Sequence, residues 1–165
     1  MLHRIKQFYW DITSEFKDID IKFIDKYLNN LEKELFKNLN KAEQHHCIRV
    51  AKLAIKEYLK LEEVNDLDML IKICLLHDIG KIGSRLNIFD RVFLVLGDKV
   101  TGGNLKKCTN IRKINIYYNH PQIGAQKLKS LGYDDEFIYI IENHHKKDIK
   151  DNIVINILKL CDDKN

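Results

Sequence analysis

The chain has 165 residues, 45% of them hydrophobic and 32% charged, with a net charge of +4 and a pI near 8.7. That composition argues against disorder, and the length gives one domain, large enough to bury a core without disulfides. The charge suits anionic small molecules and is too dilute for a dedicated nucleic-acid surface. One proline and seven glycines, none before Gly80, argue against a β-sandwich or a glycine-rich nucleotide fold. The expected class is all-α, a single orthogonal helical bundle.

In chain order, the aromatic-rich stretch Leu2–Thr13 predicts a short helix. A second helix is expected over Ile21–Leu39, where Phe23, Ile24, Tyr27, Leu28, Leu31 and Leu35 recur at helical spacing. Asn40 caps a third, Lys41–Leu61, with Ile48, Ala51, Leu53 or Ala54, Ile55 and Leu59 facing the core. Asn65 or Asp66 caps a fourth that runs to Ile79 and closes at Gly80. Leu86–Leu96 reads as an apolar helix on the core, with a membrane-surface or partner-docking role as the alternative. Gly97–Asn110 reads as a loop. A helix opens near Pro121 and ends at Gly132, and others span Asp134–Asn143 and Asn152–Asp162.

The four cysteines form no CxxC pair, and three of them sit at apolar helical positions as buried free thiols. The N-terminus is too charged for a signal peptide, and no apolar run reaches about 18 residues. A cytoplasmic protein without a membrane span is expected. The basic pairs Lys106-Lys107, Arg112-Lys113 and Lys146-Lys147 read as solvated helix ends and loops.

Six of the seven histidines fall at or near predicted helix ends: His45-His46, His77, His120 and His144-His145. Paired aspartates, Asp162-Asp163, end the last predicted helix, and Asp78 follows His77. Imidazole nitrogens and carboxylate oxygens suit Mn, Fe, Co, Ni or Zn and suit Ca poorly. A His-Asp dipeptide alone carries no information, but an apolar helix delivering LLHDIGKIG does. There Lys81 returns to the face of His77 and Asp78.

The ordered series HCIRVAKLA, HDIGK, HPQIGA, ENHH and LKLCDD resembles the HD superfamily of metal-dependent phosphohydrolases, in its HDIG branch. The match covers about residues 43–163 of a single HD domain. Residues 1–40 are an N-terminal helical extension, and this segment and Phe89–Asn115 fall outside the resemblance. The resemblance implies that His46, His77, Asp78 and Asp162 hold one metal ion. Asp78 bridges to a second held by His120, His144 and His145. Two divalent cations follow, Fe or Mn before Zn, Co, Ni or Mg.

The implied reaction is hydrolysis of a phosphate ester or phosphodiester, in a nucleotide or signalling (di)nucleotide, by a metal-activated hydroxide. Asp78 and Lys81 are the implied catalytic residues. Lys81 contacts a phosphate oxygen or helps the leaving group. Arg49 binds phosphate or makes a supporting salt bridge, and Lys146 attracts a second phosphate. His45 and Asp163 stand aside. The GYP motif of one subgroup is missing, because HHKKDIKDN follows the paired histidines. Ala42 stands where some members carry a further ligand glutamate, which argues against a third metal. An HD-fold di-iron oxygenase and a non-catalytic metal-binding regulatory module stay open as alternatives. Homodimerisation through the aromatic N-terminal helices also stays open.

Overall fold

The structure is a computed structural model and describes residues 9–10, 13–61, 66–84, 86 and 88–165. The helix expected over Leu2–Thr13 lies largely outside the described residues, as does the alternative cap Asn65. Among the described residues the elements are helical: α1 (Ile21–Tyr27), α2 (Asn30–Lys37), α3 (Lys41–Tyr58), α4 (Leu67–Leu76), α5 (Ile88–Val100), α6 (Arg112–Ser130), α7 (Asp135–Asn143) and α8 (Ile153–Lys164). Short 3₁₀ turns at Ile79–Lys81 and Asn104–Lys107 join them. The all-α bundle expected from the sequence is what forms.

α4 organises the bundle because buried apolar residues cover most of its circumference. Leu70, Ile71, Ile73, Cys74, Leu75 and Leu76 are all fully buried. A helix of that kind has to be surrounded; α1, α2, α3 and α7 pack around it, and α8 lies against α3 and α7. The caps read from the sequence act: Asn40 accepts from Glu43 N and Asp66 from Met69 N; Asp134 and Asn152 also cap their helices, accepting from Phe137 N and Ile155 N. Cys47, Cys74 and Cys161 are buried free thiols, while Cys108 is exposed.

The continuous helix expected over Ile21–Leu39 is two helices. Leu28 is extended (ψ 135°), and Asn29 starts α2 with a reciprocal capping box. Its side chain accepts from Glu32 N, and the Glu32 carboxylate accepts from Asn29 N. The break rotates the helical face, so Leu31 is exposed and Glu32 and Phe36 are buried instead. Buried Glu32 also takes Lys72 at 2.9 Å and the Tyr133 hydroxyl at 2.5 Å, tying α2 to α4 and to the turn between α6 and α7. On α3 the core face is Ile48, Ala51, Ala54 and Tyr58, while Leu59, the C-cap, is exposed.

Two further expectations change. α5 runs on through Gly97 to Val100, so the expected loop is partly helical. Its buried Leu94 packs with Leu86 and Ile114 in a satellite cluster rather than on the main core. The helix bearing Pro121 opens at Arg112, which places the proline in its interior.

Glu32→Ala removes the acceptor shared by Lys72, Tyr133 and the Asn29 cap. Loss of one member of such a buried charged cluster is expected to cost about 3 kcal/mol of stability. Urea denaturation measures it, and the loss should exceed that from Glu34→Ala on the exposed side of the same helix.

Candidate metal centre

Five histidines and two aspartates from five helical elements meet in one place. His46 lies six residues into α3. His77 caps the C-terminus of α4, and Asp78 follows at the head of the 3₁₀ turn. His144 caps the C-terminus of α7, with His145 next, and Asp162 lies near the end of α8. His120 comes from the middle of α6. The C-terminal ends of α4 and α7 carry partial negative charge, which favours a cation between them.

The fourth helix ends at Leu76, earlier than expected, and Gly80 does not close it with a left-handed cap; Gly83, at φ 75°, has the positive φ. Gly80 is needed for contact. A Cβ there would lie 1.9 Å from His120 O and 2.8 Å from Gly124 N. The HDIGK turn thus rests directly on the α6 backbone, which sets His120 Nε2 3.3 Å from Asp78 Oδ1.

Three imidazoles are oriented by one device. His77 Nδ1 lies 2.8 Å from Cys74 O, His144 Nδ1 2.6 Å from Ile141 O and His120 Nδ1 3.1 Å from Tyr117 O. Each contact reaches three residues back. With Nδ1–H donating there, each ring presents the Nε2 lone pair to the site. His77 and His144 sit at helix ends, where carbonyls are free. His120 is mid-helix, where the carbonyl four residues before Pro121 would ordinarily be taken. Proline has no N–H, so Tyr117 O is left for His120. Pro121 is a working part of α6, not its start.

The inward atoms are arranged for a cation. Asp78 Oδ2 faces His77 Nε2 at 3.4 Å and His46 Nε2 at 3.7 Å, while Oδ1 faces His120. His46 Nε2 contacts Asp162 Oδ1 at 2.9 Å, and His120 Nε2 lies 3.1 Å from His145 Nε2. His77 Nε2, His144 Nε2 and Asp78 Oδ1 are buried with no hydrogen-bond partner. Lone pairs facing carboxylate oxygens at these distances repel unless a positive charge lies among them. For His120 a proton is not that charge at neutral pH: burial, reinforced by Lys81, pulls its pKa down to about 3. Burial and the neighbouring His77 likewise push His144 well below the usual range. Burial disfavours the Asp78 charge, but His77 and Lys81 outweigh it and hold the carboxyl well below the usual range. For His46, burial is overcome by Asp162, which raises the ring's pKa. The donor set fits borderline divalent metals.

Two groups of atoms close enough to share an ion are His46, His77 and Asp162, and His120, His144 and His145. Cys47 forms a third with His77 and Asp78. It lies 3.9 Å from the Nδ1 side of His77, and burial, with Asp78 adding, keeps its thiol protonated well above the usual range.

A family model for the HD domain matches residues 44–164. The chain belongs to the HD domain family. Members of this family bind divalent metals and are commonly metal-dependent phosphohydrolases. Searches among curated proteins and among solved structures found no match.

Around this HD centre, Lys81 Nζ lies 2.8 Å from Asp78 Oδ2 and 3.5 Å from Glu43 Oε2. Buried Glu43 was not singled out from the sequence, though its position three residues before His46 places it on the same face of α3. Arg49 stacks on the Trp10 ring at 4.4 Å. Lys146 is exposed just after the paired histidines, and Lys159 Nζ donates to Lys146 O and Ile149 O, holding that segment. His45 turns away to Lys17 O at 3.2 Å, and Asp163 is exposed.

Pro121→Ala gives position 121 an N–H that competes for Tyr117 O. Helix propensity alone favours the variant by up to about 3 kcal/mol, so it should melt no lower than the parent. Its divalent-metal affinity is nevertheless expected to fall about tenfold, as when a ligand's supporting hydrogen bond is lost. Thermal denaturation and metal titration together read out the two effects.

Proposed function

We propose that this HD protein hydrolyses a phosphate ester or phosphodiester, with a nucleotide or signalling dinucleotide as substrate, at a centre for two divalent ions. The observation that carries the reading is the two-sided placement of Asp78. One oxygen faces His46 and His77, and the other faces His120. His46, His77, Asp78 and Asp162 would hold one ion; Asp78, His120, His144 and His145 would hold the other. Fe or Mn suits this nitrogen-rich set, with Zn, Co, Ni or Mg as substitutes. When bound, the ions supply Lewis acidity: they neutralise phosphate charge and make water a stronger acid.

The chain's own groups orient and balance charge. Asp78, held ionised at the centre of the imidazoles, keeps the two halves of the site in register. Lys81 is held by Asp78 and Glu43 while part of its side chain stays accessible (19%), so its ammonium can meet a non-bridging phosphate oxygen or the departing oxygen. Lys146, exposed just after the paired histidines, would attract a second phosphate, which favours substrates with more than one phosphoryl group. Arg49, one turn after His46, adds positive charge on the Trp10 side.

Purified protein loaded with Fe or Mn is expected to cleave a phosphomonoester, phosphodiester or nucleotide in a substrate panel, and chelation should abolish that activity. Asp78→Ala should lower turnover at least about a thousandfold, in the range of losing a central electrostatic group. Lys81→Ala should lower it about a hundredfold with metal content retained. A metal-loaded sample that cleaves nothing in the panel, or an Asp78→Ala variant with undiminished activity, would contradict the reading.

A further inference from the structure

α5 is apolar on two sides. Its inward side is already used, since Leu94 is buried against Leu86 and Ile114. On the opposite side Val92, Phe93, Leu96 and Val100 are 47%, 72%, 56% and 88% exposed. At 3.6 residues per turn these four form a stripe roughly 100° wide, facing away from Leu94. A helix with one face in a core and large apolar side chains on the other needs a second apolar environment.

The charges around the stripe point to what that environment is. Exposed Lys99 lies along one edge. On the other side, Leu105 packs against Gly97, where a Cβ would lie 3.2 Å from Leu105 Cδ2. Leu105 brings with it the exposed Lys106 and Lys107. The acids of the same region are engaged elsewhere. Asp90 pairs with Lys113 at 2.7 Å, and Asp98 accepts from the Tyr118 hydroxyl at 2.7 Å. The outward face is therefore an apolar stripe between cations. A two-fold contact between copies would bring these like-charged borders together. A bilayer surface rich in anionic lipid takes the apolar side chains at the headgroup–acyl boundary and pairs the lysines with lipid phosphates.

We propose that the α5 face docks the protein on an anionic membrane surface, lying in the interface without spanning it. No described helix is long and apolar enough to cross a membrane. This surface is independent of the metal centre, so its test stands whether or not hydrolysis is found.

The test is flotation of the full-length protein with vesicles of phosphatidylcholine alone, or with about one-third phosphatidylglycerol. The protein is expected to float with the anionic vesicles, much less with the neutral ones, and less again as salt is raised. Phe93→Ser with Leu96→Ser, and separately Lys106→Glu with Lys107→Glu, should each weaken binding at least about tenfold. Circular dichroism and melting temperature should stay at the parent values, because all four side chains are exposed. Absence of binding to the anionic vesicles would overturn the proposal, as would equal binding by the parent and both variants. It would equally be overturned by a solution dimer that Phe93→Ser with Leu96→Ser converts to monomer while neither form binds vesicles; a second copy would then cover the face.

Discussion

The contact between the Gly80 backbone and the α6 backbone sets the geometry of the metal centre. His77 and Asp78 arrive on one piece of chain and His120 on another. They can meet at 3.3 Å because neither Gly80 nor Gly124 carries a side chain at the crossing. A methyl at Gly80 would fall 1.9 Å from His120 O, far inside van der Waals contact, so the turn or the helix would have to move. A displacement of about 1 Å is enough to spoil a constellation of this kind. The remaining members are brought in by helices fixed to the same core: α3 and α7 pack on α4, and α8 on α3 and α7.

The electrostatics of the assembled site favours a cation. Three imidazoles spend Nδ1–H on backbone carbonyls and turn their Nε2 lone pairs inward, toward carboxylates that the surroundings keep ionised. Two helix C-termini add partial negative charge in the same direction. Lys81 and His46, the latter paired with Asp162, supply some positive charge but leave His77 Nε2, His144 Nε2 and Asp78 Oδ1 without hydrogen-bond partners. Buried polar atoms left in that state are costly, and a divalent metal would satisfy them together.

How much of this was legible depended on whether the cause was local. α7 and α8 were readable because their caps, Asp134 and Asn152, act within one turn of themselves. The Asn29–Glu32 capping box was also present in the sequence, but apolar spacing that continues across it hid the break. Pro121 misled because its local preference is for a first turn, and the His120–Tyr117 contact that makes it useful in mid-helix is not visible from residue type. Gly80 read as a helix terminator for the same reason, since its real neighbour lies some forty residues away on α6. The histidines and aspartates were found through their order and context. What the structure adds is that Asp78 faces two sets of imidazoles and that Glu43 stands behind Lys81.

The central claim is that these seven side chains form a site completed by divalent metal. Elemental analysis of the protein purified without added metal tests it most directly, with His144→Ala prepared alongside. Near-stoichiometric transition metal, up to two ions per chain, is expected in the parent, and clear loss in the variant while its circular dichroism stays helical. A folded parent that contains no metal, and takes up none when Fe or Mn is offered, would contradict it.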